Sequence, residues 1–170
     1  TINSGTVSAG NATALGNAAN ASVVMNGGSL SLTASNTVVD LYGSSTATIT
    51  GTGTPVLTVN KAAGTAVFGG SVTGTVGLTK SGAGTLWLTG STLTYTGATT
   101  VSAGILVTNA IGDVNATNTL TFGGGTLVLT ASNALAATRA VAMTSTGIID
   151  IGGTTTTSIA GSVTGAGGLT

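Results

Sequence analysis

The chain has 170 residues, with three Lys or Arg, three acidic residues, no His, no Cys and a formal net charge of zero. This composition excludes a basic nucleic-acid surface and a disulfide framework, and it leaves neither imidazole nor thiol for catalysis. Hydrophobic residues make up 41% of the chain, so it is not disordered, and charged residues at 4% fall far below the roughly 25% of an ordinary soluble domain.

Short alternating apolar runs appear from the N-terminal side onward, the two-residue period of strands rather than the 3.6 of helices. In chain order they are Leu30/Leu32, Val39/Leu41, Leu57/Val59, Leu86/Leu88, Val101/Ala103/Ile105/Val107, Leu120/Phe122, Leu127/Leu129 and Ile149/Ile151. Gly, Asn and Ser clusters separate them, residues that turn a chain at low cost. The alternation predicts a core containing Leu86, Leu88, Ile105, Val107, Leu127, Leu129, Ile149 and Ile151. Trp87 falls on the outward parity. The window ASNALAATRAVAM, Ala131 to Met143, admits a helix but reads at least as well as strand or loop. No apolar run reaches the roughly 18 residues of a membrane helix. Aromatics at 3% are too few for the two girdles of an outer-membrane barrel.

Internal repeats organise the whole length. GSVTGTVGLT at Gly70–Thr79 returns as GSVTGAGGLT at Gly161–Thr170, an offset of 161 − 70 = 91. SVVMNGGSLSLTASN at Ser22–Asn36 returns as TLTFGGGTLVLTASN at Thr119–Asn133, an offset of 119 − 22 = 97. TVSAG at Thr6–Gly10 returns at Thr100–Gly104. A period of this length divides into about four coils of roughly 20–25 residues, each with two or three short strands. The expected architecture is all-β: residues 1–170 as one continuous parallel β-helix of about seven coils, on the order of 35 Å long. Both ends fall inside repeats without visible polar caps, so the chain is expected to be a window of a longer array.

The segment FGGSVTGTVGLTKSGAGTLWLTGSTLTYTGATTVSAGILVTN, residues 68–109, resembles the autotransporter-associated β-strand repeat of secreted passenger domains. The resemblance rests on GLTKSGAGTLWLTG followed by TYTGATTVSAG and its apolar continuation. It implies a right-handed parallel β-helix, secreted across the outer membrane to the cell surface, with no catalytic residues to transfer. Val76, where the pattern favours glycine, and the large Trp87 depart from it.

Motifs with chemical potential are few. Lys80-Ser81 lacks the glycine that a phosphate-binding loop needs before its lysine, because Thr79 stands there. Gly82-Ala-Gly84 reads as a coil corner. Asp40, Asp113 and Asp150 lie in separate runs, a poor supply for the paired carboxylates of a polysaccharide-cleaving β-helix. The glycosylation-like triplets at Asn11, Asn20 and Asn115 are what chance supplies in so Asn- and Thr-rich a chain. No cofactor or metal is expected.

The functional expectation is therefore a non-catalytic structural solenoid of a surface fibre, stalk or filament. An adhesin passenger binding host or surface glycans is the alternative, and a polysaccharide-degrading enzyme comes third. Trp87 is the candidate self-association or adhesion residue. Zero net charge and flat threonine-rich faces favour homo-oligomer or filament formation.

Overall fold

The computed structural model describes residues 1–111, 118–135, 137–152 and 156–170. Its strands pair in parallel throughout. One seven-stranded sheet runs from Asn36–Val38 through Val56–Asn60, Gly77–Ser81, Thr99–Val101, Leu120–Phe122 and Val141–Met143 to Val163–Thr164. A second runs from Ser22–Met25 through Asp40–Gly43, Thr65–Phe68, Thr85–Leu88, Ile105–Thr108 and Thr126–Leu129 to Ile148–Ile151. A third face carries Thr6–Ala9, Ser29–Leu32, Thr48–Gly51 and Ser71–Gly74, and Asn133–Leu135 pairs with Thr157–Ile159. The molecule is an all-β parallel solenoid of about seven turns.

Leu57, Leu78, Thr99, Leu120 and Val141 stack in register, each 21 residues after the last. Only a parallel coil can place residues at that interval side by side, because each strand reaches its neighbour through a full circuit of the chain. Beside this column runs another of Val38, Val59, Lys80, Val101, Phe122 and Met143, all buried. On the second sheet, Ala66, Leu86, Leu106 and Leu127 stack inward and are fully buried. The core is thus a bundle of apolar columns along the axis, built by the period-two alternation within each short strand.

Two glycines show how tightly the columns pack. A Cβ on Gly43 would lie 2.3 Å from the Phe68 ring, and one on Gly147 would lie 2.5 Å from Phe122. Each ring fills the space that a side chain in the adjacent coil would need.

The structure corrects part of the expected core. Leu86, Leu88, Leu127 and Leu129 are buried as expected, but Ile105 is 37% exposed and Val107 only half-buried. Leu106 and Thr108 point inward instead. The run Val101–Val107 is not one strand: it breaks at a corner where Gly104 has φ +65°, and the alternation restarts on the other parity. Ile149 and Ile151 have the inward parity, opposite Leu127 and Leu129. Ile149 is half-buried against the core and its N–H donates to the Thr170 carbonyl of the following turn, whereas Ile151, at the far end of the strand beyond that contact, is 40% exposed. The Ala131–Met143 window contains the strands Asn133–Leu135 and Val141–Met143 and no helix among its described residues. No helix of the described chain is long and apolar enough to cross a membrane.

Candidate functional site

The segment that sequence singled out occupies two consecutive coils, with Gly77–Ser81 and Thr85–Leu88 in the lower and Thr99–Val101 and Ile105–Thr108 in the upper. At the corner of the lower coil the Lys80 side chain turns inward and is fully buried. Its Nζ donates to the carbonyls of Ser81 at 2.6 Å and Gly82 at 2.7 Å, and to Ala103 of the upper coil at 3.3 Å. Desolvation pushes the ammonium pKa down to about 8. Gly82 makes the turn with φ +74°, and a Cβ there would lie 2.4 Å from the Lys61 carbonyl. A Cβ on Gly84 would likewise crowd the Gly64 carbonyl, at 2.8 Å. The Lys-x-Gly-x-Gly spacing is thus a corner device: one cation bridging two coils, flanked by two positions too tight for a side chain.

The second half of the motif is a buried polar cluster. The Tyr95 hydroxyl meets Thr99 Oγ1 at 2.9 Å, and Arg139 Nη2 donates to the same oxygen at 3.4 Å. All three side chains are fully buried. Burial pushes the Tyr95 phenol up, while the Thr99 hydrogen bond and the Arg139 charge pull the other way. Gly97 lies between Tyr95 and Thr99 because a Cβ there would sit 2.2 Å from the Val76 carbonyl. Val76, which departs from the repeat pattern, is itself buried over Gly51, where a Cβ would come within 3.0 Å of the valine side chain.

Trp87 is on the outer face, 44% exposed, as its parity predicts. It stands in an outward column on the second sheet: Val24 beside Tyr42, then Val67, Trp87, Val107 and Val128. Tyr42 and Val67 are also exposed. The Tyr42 hydroxyl donates to the Thr65 carbonyl of the next rung at 3.3 Å, which pins its ring across the sheet.

The aspartates do not assemble. Asp40 is ion-paired with Lys61, whose Nζ is also 5.9 Å from the Tyr42 ring, and the hydrogen bond to Asp40 raises the lysine pKa. Asp150 is exposed five rungs away on the same sheet, about 24 Å along the axis. That is well beyond the roughly 5–9.5 Å between the carboxylates of a glycosidase pair. Asp113 and the Asn115 triplet lie outside the described residues. Among the described residues no group of three acids is placed to hold a metal ion.

Sequence reasoning missed Lys80, Thr99 and Arg139 as interior residues and Tyr42 as an outward aromatic. Strand parity is the signal for two of them, because Lys80 and Thr99 each sit next to an outward threonine on their own strand, whereas Arg139 lies outside any strand and carries no such signal.

Parallel coils stacked in register, with Lys80 bonded to backbone carbonyls and Tyr95 to the Thr99 side chain, define a β-solenoid repeat protein. The passenger-associated-transport-repeat family model matches residues 78–107. Over 130 residues the chain is 42% identical to the adhesin BmaC autotransporter of Brucella suis biovar 1 (strain 1330), covering 75% of this chain and 3% of that protein. No solved structure gives a significant match. The chain is autotransporter passenger sequence with associated β-strand repeats, a class exported to the bacterial cell surface. It spans only a small fraction of the relative's length.

Proposed function

We propose that the chain is a non-catalytic structural section of a surface-displayed adhesin, a rod that extends and presents outward faces. The observation that carries this reading is the direction of the repeat's polar side chains. Lys80, Tyr95 and Thr99 all point inward and bond the chain itself, so the matched segment spends its chemistry on holding coils together. The relative described as an adhesin supports the same reading. Lateral association of such rods belongs to the proposal: the net charge is zero, so neighbouring faces meet little repulsion. Each face is small, and association strengthens only where many faces engage along a long chain.

The test is to incubate the purified chain with a polysaccharide panel and analyse the products. No cleavage is expected, and replacing Asp40, Asp113 and Asp150 together by Asn changes no activity of the intact protein. Cleavage that the triple variant abolishes contradicts the reading.

A further inference from the structure

The column Tyr42–Val67–Trp87 is the most distinctive outward feature of the solenoid. Tyr42 and Trp87 lie two rungs apart, about 9.6 Å along the axis, with Val67 between them. That spacing approaches the roughly 10 Å disaccharide repeat of an extended β-1,4-linked glycan, so one sugar falls on each rung. Hydroxyls flank the aromatics: Thr65 and Thr85 stand in the neighbouring outward column, and Thr89 continues outward along the strand of Trp87. Among the described residues, the charges bordering this stretch are Asp40 and Lys61, which neutralise each other.

Shape and charge decide the occupant. The stretch from Tyr42 to Trp87 measures roughly 10 Å along the axis and 13 Å along the strand, the footprint of a short oligosaccharide. Its neutrality disfavours a charged ligand, and the two rings offer flat apolar area, that of Tyr42 already held by its hydrogen bond to the Thr65 carbonyl so that it loses little freedom on binding.

We propose that this face binds a neutral, extended β-linked oligosaccharide laid along the solenoid axis, with sugar rings stacked on Tyr42 and Trp87 and their hydroxyls met by Thr65, Thr85 and Thr89. The proposal rests on the reading of the chain as a non-catalytic surface rod. The mismatch between rung and sugar spacing accumulates, so recognition extends over about four sugars. Tight anchoring comes from repetition along the passenger rather than from one site.

Trp87 is the only tryptophan of the chain and reports directly on this face. The experiment titrates the folded chain with cellotetraose and chitotetraose, and with the α-linked maltotetraose, and follows tryptophan fluorescence. A saturable change is expected with at least one β-linked tetrasaccharide, at least tenfold tighter than with maltotetraose. Tyr42→Ala keeps the reporter and is expected to weaken binding at least tenfold, with far-UV circular dichroism verifying the fold. Calorimetry on Trp87→Ala is expected to show no binding. Absence of saturation with both β-linked probes overturns the proposal, as does a Tyr42→Ala affinity equal to wild type. A fluorescence change that follows protein concentration without sugar, together with a sedimentation shift, also overturns it and assigns the face to a second copy. Cleavage of a bound tetrasaccharide contradicts the non-catalytic reading alone and leaves the binding assignment standing.

Discussion

The Lys80 ammonium and the Ala103 carbonyl lie 3.3 Å apart in consecutive coils, inside a column otherwise made of Val38, Val59, Val101, Phe122 and Met143. A buried cation is costly unless its donors are used, and here three carbonyls accept from it. The charge ties one corner to the next at a point where apolar packing alone has no direction.

This arrangement gives stability a characteristic pH dependence. Burial holds the Lys80 pKa at about 8, against 10.5 for a free lysine, so the folded chain sheds this proton before the unfolded chain does. Stability from this group therefore rises as pH climbs through 8 towards 10.5. Above about 10 the raised Tyr95 pKa acts oppositely, because the unfolded phenol ionises first. Lys61, raised by Asp40, likewise contributes stability that fades above 10.5. Urea midpoints measured from pH 7 to 11 are expected to peak near pH 10. In Lys80→Met the rise between 8 and 10 is expected to vanish.

The register at the Gly104 corner predicts opposite outcomes for adjacent residues. Leu106→Ala empties a fully buried position and is expected to cost about 2–5 kcal/mol. Ile105→Ala changes a surface side chain and is expected to cost about 1 kcal/mol or less. Equal losses in denaturant melts would mean that the strand lies in the other register.

Two corner glycines separate backbone strain from crowding. Gly53 and Gly82 both have positive φ, but a Cβ on Gly53 meets nothing within 4 Å, whereas one on Gly82 strikes the Lys61 carbonyl at 2.4 Å. Gly53→Ala is expected to cost about 1 kcal/mol from the backbone alone. Gly82→Ala is expected to cost at least twice that, because the neighbouring corner must also move. Thermal melts of the two variants compare them directly.

Lateral association, where it occurs, joins faces with few charges and is expected to change little between about 0.05 and 0.5 M salt. Sedimentation of the intact passenger across that range checks this. A steep loss of association with salt would assign the contact to ion pairs instead.

The sequence made the class of fold readable because its strands are short, alternating and bounded by turn residues. Leu86, Leu88 and Trp87 took their expected sides, since parity holds within a single strand. It failed for Ile105 and Val107 because a corner glycine resets the parity and leaves no mark in an apolar run. Lys80 was unreadable for another reason. A lysine defaults to solvent, and the third carbonyl that makes its burial tolerable belongs to Ala103, 23 residues on. Tyr42 and Trp87 are 45 residues apart in sequence, and only coil stacking sets them two rungs apart on one face.

The coils stack in parallel at the intervals the register defines. The chain has no native cysteine, so two introduced cysteines can carry spin labels without background. Thr37 and Thr121 face outward in one column, four rungs apart through Thr58, Thr79 and Thr100. Double electron–electron resonance on Thr37→Cys/Thr121→Cys is expected to give a narrow distribution centred where backbones lie about 19 Å apart, widened only by the label arms. A broad distribution, or one centred beyond about 35 Å, would contradict the stacked solenoid, whose four rungs span far less.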